Sequence, residues 1–308
     1  MVLITEHRGP ADWRGGEIAG RSEWRIALRD EDRAELRSAV NRVAKMDLAD
    51  ISATDFPLPV FGSALARLNG ELMEGRGFAL LQGVPVAGLT EHECEILTVG
   101  IGCHVGRVVP QGPAGARVLH VRDQGVDPAE PTSRSYQHKG RLDFHSDPTD
   151  VVALLCIRPA KAGGLSSVVS AVAVHNEIVR GRPDLARVLY QPWWRDRRSG
   201  DGPDSFFTCP VYAVDARGRL VANYGADYIR SAQRSPQVPR LTSSQLAAMA
   251  ELDRLNNDPG LVLTMDLRPG DMQFLNNHGT MHGRTEYHDH PDPARRRDLI
   301  RLWLDGRD

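Results

Sequence analysis

The chain has 308 residues, 41% of them hydrophobic, enough for one large core or two small ones. Charged residues make up 25% and the net charge is −2, so no basic field exists to hold nucleic acid or an anionic membrane, and a small-molecule substrate is the expectation. No stretch approaches the roughly 18 apolar residues of a membrane span, and Met1 to Asp12 is too short and polar for a signal peptide.

Leu36, Val40 and Val43 recur at helical spacing behind the acidic start Arg29 to Asp32. Phe61, Leu65, Leu68 and Leu72 form a second apolar stripe after Pro57 and Pro59. Both stripes are expected to face a core, which makes residues 1–75 an N-terminal helical part. That part also offers a face for homo-oligomerisation, although nothing in the sequence requires one.

From Gly77 onward the pattern changes to short apolar runs of the strand type. They span Phe78 to Leu81, Val118 to Val121, Leu142 to His145, Val151 to Ile157, Ser166 to Val169, Pro210 to Val214, Leu220 to Asn223, Leu261 to Leu267, Met272 to Leu275 and Leu299 to Leu304. Pro159, Gly163-Gly164, Gly218 and Pro269-Gly270 punctuate them. Helical pieces are expected over Val172 to Arg180, Pro183 to Tyr190 and Ser243 to Asn256, the last with Thr242 or Ser243 as N-cap ahead of Leu246, Met249 and Leu252. Many short strands with helical insertions predict an α+β fold built on a β-sandwich or barrel, in one domain over residues 1–308 with its core over 76–308.

Several motifs lead nowhere. Gly100 to Gly106 resembles a dinucleotide fingerprint but has the wrong spacing and follows a helix rather than a strand. No Walker lysine loop occurs, and Gly164-Leu-Ser166 lacks the second glycine of a nucleophile elbow. Cys94, Cys103, Cys156 and Cys209 are scattered without a C-x-x-C, which excludes a zinc ribbon or a dithiol redox pair and fits a reducing cytoplasm.

Phe144-His145-Ser146-Asp147 is the strongest local signal. Residues two apart on a strand point to one face, so His145 and Asp147 can share a metal, and Pro148 ends the strand there. Two histidines and one carboxylate on one face, with the other positions open, is the arrangement of non-haem Fe(II) oxygenases. The third ligand has to come from His278, His282, His288 or His290. The last two sit in a polar stretch before Pro291 and Pro293, leaving His278 as the competitor of His282. Near the end, Arg297 and Arg301 are four apart and share one side of a regular strand, where planar guanidiniums suit carboxylates.

These residues resemble the TauD/TfdA family, the taurine dioxygenase-like Fe(II)/2-oxoglutarate oxygenases that include clavaminate synthase-like enzymes. The resemblance runs through Gly75 to Gly83, His145-Ser-Asp147, Leu154 to Cys156, Ala162 to Ser166, Val172 to Glu177, Pro269 to Asn277, His282-Gly-Arg-Thr and Arg297 to Leu304. It implies a double-stranded β-helix (jelly-roll) core with flanking helices. It also implies Fe(II) on His145, Asp147 and His282, 2-oxoglutarate as co-substrate with its distal carboxylate on Arg297, and O2 at the remaining position. Ser166 matches the position whose hydroxyl assists that arginine, where several members carry threonine. Arg301 stands where some relatives hold an anionic substrate group. The implied reaction is hydroxylation or desaturation of an unactivated C–H, coupled to decarboxylation of 2-oxoglutarate to succinate and CO2. Asp147, in place of a small residue that would open a halide position, disfavours halogenation.

The substrate is less legible. Arg301 favours a carboxylate-bearing molecule such as an amino acid or natural-product intermediate. Tyr136, Trp193 and Phe206, among the aromatics that also include Trp194, Phe207, Tyr224 and Tyr228, are candidates to line the pocket, with core packing as the competing use. Ser199 to Asp204 reads as a mobile loop, either a lid or a surface turn. A zinc hydrolase on the same ligands and a binding module that has lost activity are the rival readings.

Overall fold

The computed structural model describes residues 4–112, 115–126, 134–198 and 205–306. The expected loop from Ser199 to Asp204 lies outside them. In chain order the N-terminal part gives α1 (Gly15–Ile18), β1 (Arg25–Ala27), α2 (Asp30–Val43) and α3 (Gly62–Met73). Next come β2 (Phe78–Gln82), α4 (Glu91–Cys103), β3 (Gly106–Val108) and β4 (Val118–Val121). Then follow β5 (Leu142–His145), β6 (Val151–Arg158), β7 (Ala162–Gly163), β8 (Ser166–Ser170), α5 (Ala171–Gly181) and α6 (Pro183–Leu189). Two antiparallel pairs, β9 (Trp193–Asp196) with β10 (Phe206–Cys209) and β11 (Tyr212–Val214) with β12 (Leu220–Ala222), lead to α7 (Ala226–Ala232) and α8 (Ser243–Asn256). β13 (Leu263–Met265), β14 (Met272–Asn276), β15 (Thr280–Arg284), β16 (Tyr287–His288) and β17 (Asp298–Gly306) complete the described elements.

Two sheets dominate. The larger has the order β1-β2-β14-β6-β17-β3, with β4 also on β17, and the smaller has the order β13-β8-β15-β5. Every pairing in them is antiparallel except β1 with β2. The sheets face each other across a core of Phe78, Leu80, Val152, Leu275 and Leu299 on one side and Val168, Leu263 and Met265 on the other. The outer face of the large sheet packs on α2, α3 and α4, and that of the small sheet on α5, α6 and α8. Both sheets are therefore buried on both faces, which is why their strands read as continuous apolar runs rather than alternations.

Most expected elements form with ends moved by a residue or two. Thr242 is the N-cap of α8, its side chain accepting from the Gln245 N–H. Leu246 does not join the buried stripe and is 54% exposed. At about 100° per residue it lies about 120° around the helix from Leu252. The expected strand Leu261 to Leu267 contracts to β13, because Asp258 accepts from the Leu261 N–H in a turn. α7, β9 and β10 are too short to establish a period and are not legible beforehand.

The N-terminal part is not purely helical. β1 extends the large sheet, and Trp13, Ile18 and Trp24 enter the core between the sheets. Each indole satisfies its N–H on a backbone carbonyl, Trp13 on Arg76 and Trp24 on Ile18. The glycine-rich decoy runs from the end of α4, whose Thr90-Glu93 capping box fixes its start, to the first residue of β3. A Cβ at Gly102 would lie 2.1 Å from Leu302 Cδ2, so this glycine serves close approach of helix to sheet. Among the described residues no helix is long and apolar enough to cross a membrane.

Candidate active site

β5 and β15 are paired with His145 opposite His282. A register shift beyond that pair turns both Leu142 and His145 toward the space between the sheets. The two imidazole rings lie 4.4 Å apart, centre to centre. Asp147 stands just past the end of β5, where Asn277 Oδ1 accepts its backbone N–H and Asn277 Nδ2 donates to Thr149 O. The carboxylate lies 3.8 Å from His145 Nε2 and 3.9 Å from His282 Nε2. Those gaps are too long for hydrogen bonds, yet one ion at about 2.1 Å from each atom would bridge all three.

Protonation also suits a cation. His145 Nδ1 lies 2.9 Å from Asp143 O and donates to it, which leaves Nε2 as the ring atom that faces Asp147. Burial, reinforced by the neighbouring His145, pushes the His282 pKa down to about 3, so that ring is neutral. Burial opposes the charge on Asp147, but the Arg301 guanidinium and the Trp303 N–H hold its pKa below the usual carboxylate value. Two imidazoles and one carboxylate, with their ligand atoms within 4.8 Å of one another, are the donor set of a non-haem iron site.

The competing histidine is turned away. His278 Nε2 pairs with Asp150 Oδ1 at 2.8 Å on the far side of the β14–β15 turn. His288 is exposed on β16, and His290 also lies outside the triad.

A small cavity adjoins His282, lined by Ser166, Arg284, Arg297 and Arg301. Arg297 is 5% exposed; its Nη1 donates to Val121 O, and among the described residues it has no carboxylate in ion-pair contact. Gly164, at φ 71°, leaves room for it: a Cβ there would sit 3.3 Å from Arg297 Nε. Next to Arg297, Asp298 pairs with His120 Nδ1 and with Arg158, which fixes the start of β17. Ser166 lines the cavity, with its hydroxyl donating to Gln273 Oε1 at 2.9 Å. Arg284 is a cavity residue that the sequence reading leaves without a role. Its position two beyond His282 on one strand is the signal that would have found it.

A wider cleft opens on the other side of the triad, between Arg134, Tyr136, Tyr228, Arg301 and Trp303. Arg301 bridges both spaces: its Nε donates to Gln111 Oε1, Nη1 lies 3.5 Å from Asp147 Oδ2, and the guanidinium packs on Tyr136 and Trp303. Tyr136 lines this cleft. Trp193 and Phe206 do not. Trp193 is fully buried against α5 and α6 with its indole N–H on Val188 O, and Phe206 lies half-buried on β10 beneath the Arg234 guanidinium. Strand alternation on β9 sends Trp193 and Arg195 inward, away from the cleft, and Trp194 outward. Gln111 and Tyr228 come from a loop and a short helix with no periodic signal.

The sequence profile described as "Taurine catabolism dioxygenase TauD, TfdA family" matches residues 42–303. The chain belongs to the TauD/TfdA family. It is an Fe(II)/2-oxoglutarate-dependent dioxygenase, with iron, 2-oxoglutarate and O2 as its cofactor and co-substrates. FR-33289 synthase of Streptomyces rubellomurinus is 30% identical to it, over 98% of this chain and 91% of that one. Among solved structures, an asparagine oxygenase in complex with Fe(II), hydroxyasparagine and succinate shares the fold at TM-score 0.71 and 18% identity, covering 92% of this chain and 93% of that one. The non-haem iron oxygenase OrfP, in complex with Fe and alpha-ketoglutaric acid, shares it at TM-score 0.67 and 13% identity, covering 92% and 94%.

Proposed function

We propose that this oxygenase hydroxylates or desaturates an unactivated C–H of a small carboxylate-bearing molecule, an amino acid or natural-product intermediate, with His145, Asp147 and His282 holding the iron. The observation that carries the reading is the convergence of two imidazole nitrogens and one carboxylate, 3.8 and 3.9 Å apart, beside buried Arg284 and Arg297, neither of which meets a carboxylate in ion-pair contact among the described residues. A zinc hydrolase or an inactive binding module has no use for such arginines. The two facing sheets are read as the double-stranded β-helix of one domain, and the buried thiols of Cys94 and Cys156 suit the cytoplasm.

Bound iron, the keto acid and O2 would together supply the oxidising chemistry: O2 is the oxidant, one of its oxygen atoms enters succinate as CO2 leaves, and the other ends in the hydroxylated substrate or, in desaturation, in water. The protein supplies placement. Arg297 holds the distal carboxylate of the keto acid, with Ser166 beside it. Asp147 stays ionised because Trp303 and Arg301 donate to it or face it. Arg301, Tyr136, Arg134 and Tyr228 bound the cleft where the primary substrate would lie, and a guanidinium there matches a substrate carboxylate. The asparagine oxygenase of similar fold was solved with a hydroxylated amino acid, which supports this substrate class.

The test is anaerobic loading with Fe(II) and then 2-oxoglutarate, followed by admission of air with panels of amino acids and other small acids. A visible charge-transfer absorption that needs both components, and succinate release stimulated by one panel member, are expected. Iron binding without that absorption would overturn the co-substrate reading.

A further inference from the structure

Arg284 follows His282 by two residues on β15 and so points into the same space between the sheets. Its register partner on β8 is Ser166. The side chain is 6% exposed and divides its donors. Nη2 donates to the backbone carbonyls of His138 and Gly140. Nε and Nη1 are buried and meet no acceptor among the described residues. Burial and the nearby charge of Arg297 push its pKa down to about 10, which leaves it a cation at neutral pH. Both guanidiniums lie against the Tyr287 ring, at 4.7 and 5.0 Å, and both line the cavity beside His282. Buried like charges with open donors are unfavourable unless an anion joins them.

We infer that Arg284 is the second cation of the co-substrate pocket: its Nε and Nη1 hold the distal carboxylate of the keto acid together with Arg297, while its Nη2 holds the backbone of residues 138–140. The inference rests on the co-substrate reading above and deepens it. One guanidinium then touches both the keto acid and the segment that carries Tyr136 to the substrate cleft. A role as a backbone brace alone uses Nη2 and leaves the other two buried donors without purpose, which the cost of an unmade buried hydrogen bond argues against.

The experiment titrates Fe(II)-loaded protein anaerobically with 2-oxoglutarate and with 2-oxopentanoate, the same chain without the distal carboxylate, reading the charge-transfer absorption. Failure of wild-type protein to bind 2-oxoglutarate would refute the co-substrate reading itself. With wild-type binding in hand, Arg284→Met is expected to weaken 2-oxoglutarate by about ten- to hundredfold, the loss of hydrogen bonds to a charged group. Iron and 2-oxopentanoate affinities are expected to stay as in the wild type. A brace-only residue would weaken both keto acids alike or neither, and either result overturns the inference. Arg297→Met decides the matter if Arg284→Met does not fold. With Arg284 intact it should still prefer 2-oxoglutarate over 2-oxopentanoate, by about tenfold, and equal binding of the two would overturn the inference.

Discussion

Trp303→Phe isolates what orients the metal-binding carboxylate. The Trp303 indole N–H donates to Asp147 Oδ2 at 3.1 Å, while Arg301 Nη1 stands further off at 3.5 Å. The same oxygen faces His282 Nε2 at 3.9 Å, so its direction decides whether all three donors meet on one ion. Phenylalanine keeps an aromatic ring against the Arg301 guanidinium, now 4.7 Å from the Trp303 ring, and deletes the donor together with part of the ring volume. A hydrogen bond to a charged group contributes about 1.5–3 kcal/mol, and supporting partners of metal ligands affect affinity by about 10–100-fold. Fe(II) affinity, measured anaerobically by competition with a chelator, is therefore expected to fall by about one to two orders of magnitude. Thermal stability without metal should fall only modestly, because Trp303 is partly exposed and an aromatic ring is retained. Iron affinity equal to that of the wild type, in a variant that folds, would refute the idea that this indole positions Asp147.

His282→Ala is expected to abolish iron binding and turnover, as are His145→Ala and Asp147→Ala, whereas His278→Ala should bind iron normally; the reverse pattern for the two C-terminal histidines would discard the ligand set. Gly102→Ala places a methyl 2.1 Å from Leu302 Cδ2, and overpacking of that kind costs about 1–3 kcal/mol, read as a lowered midpoint in urea. His175 is buried with its pKa lowered to about 4 by burial, so it is neutral in the folded protein. Because the unfolded chain binds the proton more tightly, its contribution is complete above pH ~6.5 and is lost as pH falls toward 4, a difference of about 3 kcal/mol. Urea titrations across that range should show the slope in the wild type and a shallower one in His175→Phe; equal slopes would rule His175 out.

The sequence by itself determined the local and covalent part of this protein. Helical periodicity located α2 and α3, the proline and glycine punctuation located most strands, and the two-residue step from His145 to Asp147 put a histidine beside a carboxylate at a strand end. The His282-Gly-Arg-Thr and Arg297 to Leu304 segments carried the family resemblance and, with it, the iron and keto acid. Tertiary structure decided what depends on which strands become neighbours. Antiparallel pairing of β5 with β15 put His282, and not His278, opposite His145, although the two candidates are only four residues apart. Folding of the large sheet over the small one brought Trp303 and Arg301 onto Asp147 from more than 150 residues away. It also buried Trp193 in helix packing while leaving Tyr136 at the cleft, a choice that composition cannot make because an aromatic ring suits either place. Arg284 shows the same limit. Strand alternation fixes the direction in which its side chain points, but only the assembled core leaves two of its donors without an acceptor, and that is a property of every atom around it rather than of its neighbours in the chain.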